Sequence, residues 1–393
     1  MKITDPRTAT TSLDRGGHSS PRILFLCSQL GVGGVERLWA SLLPSLEDEG
    51  ATVTLVALNK TGATYDLLQQ HGIATHFIDA PDGPLALSQV PKILRLVRAQ
   101  RPTVIMTFGP STFAIGAIVG RLTRVPSVIN WHQGVGLRLR PTSRLATKLA
   151  ARLGSRVIAV SDANRPDLMK LGFMSGKIVV IPNGVVDPPV RKARADRPSV
   201  RPTQGKGTLV LAVARLSPEK RLERFIEALA IASDRDPSVR GEIVGSGPLE
   251  SELRTLITMT KAPVALIGFH PEPTELMIKA DIVCLTSDYE TAPLALMEAA
   301  ACGIPTVSTN VGGVSEIVEH GTTGLLAKEL TSEAVANAIV ELASDPDSRR
   351  EMGAAARDRW SRLFSLERTR DAYLYWLGSS SAEAAAWRGL YAG

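Results

Sequence analysis

The sequence predicts an α/β protein of two doubly wound domains, each a parallel sheet, facing one another across a cleft. Three observations lead there. Short β-rich runs alternate with longer helical runs along most of the chain, as βαβ units require. The alternation breaks once, at VDPPVRKARADRPSVRPTQGKG (residues 186–207), which is rich in proline and cations, and then restarts. The chain has 393 residues, 44% hydrophobic and 21% charged, which is enough apolar mass for two packed domains and too much for disorder.

Residues 1–20 are polar and lack the apolar run of a secretory signal, so they read as a loose leader. In the first domain (21–186), RILFLCS (Arg22–Ser28) reads as a buried strand, followed by a glycine turn, a helix near Glu36–Glu49 and a strand over Ala51–Ala57. Further strands are expected at Val104–Phe108, Ser127–Trp131, Val157–Ser161 and Ile178–Ile181. After a linker over 187–207, the second domain (208–365) repeats the class. A strand over Thr208–Ala214 and a helix over Leu222–Ser233 precede strands near Glu242–Val244, Val264–Ile267, Ile282–Leu285 and Thr306–Ser308. The segment 366–393 opens with a helix, Leu366–Leu377, long enough to cross back to the first domain. Thr103–Gly120 carries no charge over a length that approaches a spanning helix, but Gly109–Thr112 divides it into a strand, VIMTF, and a helix, TFAIGAIVG.

The net charge of +6 is uneven: residues 1–200 sum to +12 and the remainder to −6. A basic front half favours an anionic partner, whether nucleic acid, lipid or a phosphorylated substrate. At 5% aromatic residues, with no basic stretch interleaved with stacking side chains, no nucleic-acid partner is expected. Within Arg138–Arg156, Arg144, Lys148 and Arg152 recur every four residues beside Leu145, Leu149 and Leu153. On a helix these form two stripes, which suit either an anionic membrane surface or a surface helix with its leucines on the sheet. Lys92, Arg95, Arg98 and Arg101 form a second basic helix. Cys27, Cys284 and Cys302 make neither a disulfide framework nor a zinc set, and they fit a reducing, cytoplasmic setting, peripheral at the inner face of the membrane if the basic helices bind it.

The densest chemistry is SDYETAPLALMEAAACG (Ser287–Gly303). Pro293 suits the first helical position, LALMEAAA is strongly helix-forming and Gly303 is a stop. The free amides around Ala292, Leu294 and Ala295, with the positive end of the helix dipole, make a phosphate site. Glu290 and Glu298 straddle that site and suit hydroxyl groups on either side of a phosphate centre, which describes a nucleoside diphosphate sugar. VARLSPEKR adds Arg215 and Lys220 as cations for phosphate. QLGVGGVER brings Gly31, Gly33 and Gly34, which permit close backbone approach, and VINWHQG places His132 on the cleft rim, where it reads as a rim residue. The two Asp-x-Asp occurrences, Asp234/Asp236 and Asp345/Asp347, fall at helix ends or in a connection, where turn chemistry accounts for them, so neither a metal nor a cofactor is expected.

Together ARLSPEK, ETAPLALMEAAACGIPTVSTNVGGVSEIVEHGTTGLL, GVGGVER and VSDANRPDLMKLGFMSGKIVVIPNGV resemble the retaining GT4-type glycosyltransferases (glycosyltransferase group 1) of GT-B fold. The likeness runs from Arg22 to about Phe364. It implies two Rossmann-like domains, with Glu290 beside the donor sugar hydroxyls, Glu298 on the ribose and the amides over Ala292, Pro293, Leu294 and Ala295 on the diphosphate. It further implies that Arg215 and Lys220 neutralise that diphosphate, that His132 lies near the donor sugar, and that Gly33 and Gly34 cover the phosphates. Glu290, His132, Arg215 and Lys220 are then the catalytic candidates. The family's IPNG, Ile181–Gly184, reads as structural at the domain boundary. Thr291 and Ala292 stand where the family often has glycine and a bulky apolar residue, which leaves the sugar preference open. The implied reaction is metal-independent transfer of a hexosyl group, with retention, to a hydroxyl of a glycan or polyprenyl-linked acceptor. A nucleotide-sugar epimerase or hydrolase, or a non-catalytic two-lobed binding protein, stays open on the residues alone.

Overall fold

Leu24 and Leu26 point to one face of the first strand, and Ile23, Phe25 and Cys27 to the other; all five are buried, as a parallel strand covered on both faces demands. The computed structural model describes residues 20–29, 31, 33–59, 64–79, 87–131, 141–188 and 207–379. Strands β1 (Arg22–Cys27), β2 (Thr52–Ala57), β3 (Ala74–Phe77), β4 (Val104–Phe108), β5 (Ser127–Trp131), β6 (Arg156–Ala159) and β7 (Ile178–Val180) form one sheet in the order β3-β2-β1-β4-β5-β6-β7. Strands β8 (Leu209–Val213), β9 (Arg240–Val244), β10 (Val264–Gly268), β11 (Ile282–Leu285), β12 (Thr306–Thr309) and β13 (Gly324–Ala327) form the other, in the order β10-β9-β8-β11-β12-β13. Every pairing in both sheets is parallel. The strand order reverses beside β1 and beside β8, so the turns after β1, β8 and β11 stand where such sheets take ligands.

Three differences from the sequence reading have local causes. β3 reads ATHF, a polar edge strand without alternation, and β13 reads GLLA, four residues straight after a turn; both escaped notice. The strand expected to run to Ser161 ends at Ala159, because the Ser161 hydroxyl donates to Asn164 Oδ1 at 2.9 Å and the chain turns into a short 3-10 helix. The uncharged run Thr103–Gly120 resolves into β4 and the helix Pro110–Thr123, and no helix among the described residues is long and apolar enough to cross a membrane.

The helix Leu366–Gly378 belongs spatially to the first sheet. Leu366, Ala372, Tyr373 and Trp376 join the core of Phe25 and Trp39, and the Tyr373 hydroxyl donates to Asn130 Oδ1 at 2.9 Å in the interior. The chain crosses between the sheets at IPNG: Val185 bridges Ser365, and a Cβ on Gly184 would sit 2.6 Å from the Ser365 carbonyl oxygen, so only glycine fits. Turn chemistry does hold the Asp-x-Asp pairs: Asp345 accepts from the amides of Asp347 and Ser348, and Asp236 from that of Ser238. The leader, most of the linker and His132 lie outside the described residues.

Candidate active site

The helix Leu294–Cys302 begins one residue later than its sequence suggests. Pro293 takes φ −66° and ψ 114°, an extended conformation, and so flanks the first turn rather than opening it. The Leu296 amide donates to the Pro293 carbonyl at 3.1 Å, whereas the amides of Leu294 and Ala295 have no acceptor among the described residues. Unpaired first-turn amides are the groups that bind an anion. The approach to this turn is fixed from two sides. Asn183 of IPNG donates to the Ala292 carbonyl at 3.4 Å, and the Gly313 amide donates to the Glu290 carbonyl at 3.3 Å. Gly312 and Gly313 press so close that a Cβ would fall 1.8 Å from the Glu290 carbonyl oxygen and 1.9 Å from that of Thr291. The glycine loop of the first domain arrives from across the seam: a Cβ on Gly34 would lie 3.0 Å from Leu294 Cδ1, and one on Gly33 would strike the Glu36 carboxylate. Gly33, Gly34, Ala292, Pro293, Leu294 and Ala295 thus converge on one place.

Glu290 is 8% exposed and receives two hydrogen bonds on Oε1, from Lys220 Nζ at 2.7 Å and from the Ser287 hydroxyl at 2.6 Å. A buttress that the sequence reading missed holds the lysine. Buried Arg224 donates to the Thr286 carbonyl at 2.6 Å and to Asp288 Oδ1 at 2.7 Å, the Thr286 hydroxyl reaches back to the Lys220 and Arg221 carbonyls, and the Asp288 amide donates to the Glu219 carbonyl at 3.0 Å. Arg215 stands apart, 78% exposed and 3.4 Å from Glu219. Burial works to raise the Glu219 carboxyl, but the Ser217 hydroxyl at 2.6 Å, with Arg215 and Lys220 nearby, holds it below its ordinary range. One of the two expected phosphate cations is therefore engaged with buried Glu290 and the other with Glu219 at the surface.

Glu298, on the second turn of the helix, meets a residue of the other domain that the sequence reading did not single out. Arg37 donates to its Oε1 at 2.8 Å and, through the other guanidinium nitrogen, to the Pro271 carbonyl at 3.1 Å. Burial pushes the Glu298 carboxyl up to about 7, with Arg37 opposing and Glu272 adding to the shift. The signal available in the sequence was position alone: Arg37 sits one turn past Gly33 in GVGGVER. A second crossing was equally silent. Glu316 accepts from the amides of Asp162 and Ala163, both at 2.9 Å, beside the place where a Gly313 Cβ would lie 2.8 Å from Ser161 Cβ. Burial raises the Glu316 carboxyl against those two hydrogen bonds.

Nothing in this constellation is a poised nucleophile of the thiol type. All three cysteines are buried and none is in a disulfide, and burial pushes the Cys27 thiol up to about 12. Among the described residues no group of three or more His, Cys, Asp or Glu side chains is placed to hold a metal ion.

Comparison with known proteins places the fold and the family. Residues 32–187 match the family described as Glycosyltransferase Family 4, and residues 194–359 the one described as Glycosyl transferases group 1. The N-acetyl-alpha-D-glucosaminyl L-malate synthase of Bacillus anthracis is 30% identical over 41% of this chain and 42% of its own. The putative colanic acid biosynthesis glycosyltransferase WcaL of Escherichia coli is 34% identical over 55% of this chain and 54% of its own. The chain thus spans about half the length of these curated relatives. The Escherichia coli UDP-Gal:alpha-D-GlcNAc-diphosphoundecaprenol alpha-1,3-galactosyltransferase is 25% identical over 84% of this chain and 89% of its own. Among solved structures, Anabaena HepE in complex with UDP-glucose superimposes with a TM-score of 0.75 at 26% identity, covering 93% of this chain and 99% of HepE. The two sheets are the two halves of the GT-B architecture, and the chain belongs to the GT4 glycosyltransferases, the glycosyl transferases of group 1.

Proposed function

We propose that this chain transfers a hexosyl group, with retention and without a metal, from a nucleoside diphosphate sugar to a hydroxyl of a glycan or lipid-linked acceptor. The observation that carries the reading is the pair of unpartnered amides at Leu294 and Ala295, set between Lys220–Glu290 on one side and Arg37–Glu298 on the other and overlain by the Gly33–Gly34 loop. The diphosphate sits at those amides, the ribose hydroxyls bind Glu298, and the sugar hydroxyls lie by Glu290. That HepE is solved with UDP-glucose supports a UDP-sugar as donor, and the galactosyltransferase acting on a diphosphoundecaprenol supports a lipid-linked acceptor.

In the reaction the anomeric carbon–oxygen bond to the diphosphate breaks, its electron pair leaving with the nucleoside diphosphate. The acceptor oxygen bonds to the same carbon from the same face, and its proton passes to the departing phosphate. Negative charge grows on that phosphate as the sugar approaches an oxocarbenium ion. The first-turn amides, Lys220 and the exposed Arg215 are the groups that stabilise it, and loss of one such donor costs about 10²–10³ in rate. No side chain is needed as nucleophile or general base.

A thermal-shift screen of UDP-, GDP- and ADP-sugars tests the donor, since a ligand bound by the native state alone adds about 2.7 kcal/mol of stability at a hundredfold excess over Kd. Turnover that requires an added acceptor, an unchanged anomeric configuration in the product, and activity insensitive to EDTA are the expected results. Donor consumption at full rate without acceptor would instead mark a hydrolase or epimerase.

A further inference from the structure

Between Asp82 and Asp162 the chain carries no acidic residue: residues 83–161 hold twelve lysines and arginines and no aspartate or glutamate. The fold gathers much of the described charge of this stretch onto one surface. Its three described helices, Val90–Gln100, Pro110–Thr123 and Pro141–Arg152, lie side by side on one face of the first sheet, opposite the face covered by Gly34–Asp48 and Leu366–Gly378. Arg95, Arg98, Arg121, Arg144, Lys148 and Arg152 are all exposed there, and none pairs with a carboxylate among the described residues. Solvated surfaces ordinarily mix both signs, and the other exposed faces of this protein do so through pairs such as Arg254–Glu250 and Arg362–Asp358.

Apolar side chains stand among these cations. On Pro141–Arg152 the buried face is made by Thr147 and Ala150, so Leu145 does not reach the sheet; it is 69% exposed between Arg144 and Lys148, and Leu122 is 62% exposed beside Arg121. Of the two readings that the sequence left open for this helix, the one with its leucines on the sheet fails at Leu145. The one aromatic residue of the three helices, Phe113, is buried, leaving nothing for a nucleic-acid base to stack on.

We propose that this three-helix face docks on the surface of an anionic lipid bilayer, with its arginines and lysines among the headgroups and Leu122 and Leu145 dipping below them. Each cation near such a surface contributes about 1 kcal/mol, close to fivefold in binding, and an exposed leucine adds by burying its side chain. Leu145 lies near the amino end of its helix, which a βαβ unit sets at the carboxyl ends of the strands. The docked face consequently borders the edge on which Gly34 and Leu294 meet. The inference goes beyond the transfer reading and stands without it.

Flotation of the full chain with vesicles of phosphatidylcholine, alone or mixed with phosphatidylglycerol, tests it. Capture by the mixed vesicles only, lost at high salt, is expected. The triple variant Arg144→Gln, Lys148→Gln, Arg152→Gln should partition on the order of a hundredfold less, and Leu145→Ser severalfold less, with an unchanged melting temperature showing that both remain folded. Equal capture by neutral vesicles, a triple variant that floats like the parent, or displacement from mixed vesicles by DNA would each overturn the proposal. Donor binding is read separately by thermal shift, so either reading can fail alone.

Discussion

Arg37 and Glu298 meet at 2.8 Å across the two domains, and the carboxylate they share is the one placed here at the donor ribose. The Arg37 side chain keeps 39% of its exposure and that of Glu298 14%, so the pair sits at the seam rather than in the core. In the proposed donor pose a ribose hydroxyl shares the Glu298 carboxylate with a guanidinium that also tethers the Pro271 carbonyl. Donor binding, so read, draws on the carboxylate that also grips the other domain.

The proposed ribose contact has a pH dependence. Ribose hydroxyls donate to a carboxylate, so donor affinity should rise with pH as Glu298 ionises near 7 and fall about tenfold per unit below that. Arg37 opposes the upward shift, so Arg37→Ala should move the acidic limb of kcat/KM to higher pH, and Glu298→Gln should flatten it. The sign for stability follows from the same group. The folded chain retains this proton to about 7 whereas the unfolded chain releases it near 4.5, so the contribution of Glu298 falls as pH rises through that window and is level above it. An acidic limb indifferent to both substitutions would assign it to another residue.

Lys220 and Glu290 can be separated as charge and as chemistry. Lys220→Met leaves a nearly buried carboxylate without its cation and should cost about 1–3 kcal/mol of stability, together with about 10²–10³ in turnover. Adding Glu290→Gln should restore most of the stability and none of the turnover. Chemical denaturation and steady-state rates on the single and double variants check this.

The two glycine pairs should respond differently. A Cβ on Gly34 meets only the end of the flexible Leu294 side chain at 3.0 Å, so Gly34→Ala should fold normally and act chiefly on KM for the donor. A Cβ on Gly313 meets the Thr291 carbonyl oxygen at 1.9 Å and Ser161 at 2.8 Å, both on fixed backbone or its first carbon. Gly313→Ala should lose about 1–3 kcal/mol and lower kcat, because the Glu290–Ala292 segment must shift. Thermal melts beside kinetics distinguish the two.

Tyr373 tests the returning helix. Tyr373→Phe leaves Asn130 Oδ1 buried without its donor and should lower stability by about 1–3 kcal/mol while sparing donor affinity. Truncation before Leu366 removes Ala372, Tyr373 and Trp376 from the core around Trp39 and should abolish soluble expression, which a gel of cleared lysate would reveal.

Local rules account for much of this molecule. The apolar run of RILFLCS, the helix-forming LALMEAAA closed by Gly303 with φ 72°, and the proline-rich break after Val186 each act through neighbouring residues, and such features are legible one segment at a time. The turn that starts the Leu294 helix could be placed to within one residue for the same reason. Pairings between residues far apart in the chain could not be read this way. Arg37 lies 261 residues from Glu298, and Glu316 lies 154 from Asp162; no periodicity, cap or spacing links them. Their contacts arise only when two separately folded sheets are set edge to edge, and that setting depends on the helix Leu366–Gly378 filling the first core from the far end of the chain. Packing between the domains, acting over distances that sequence neighbours cannot encode, is what set Arg37 on Glu298, whereas Glu290, eight residues earlier, is held by Lys220 within its own domain.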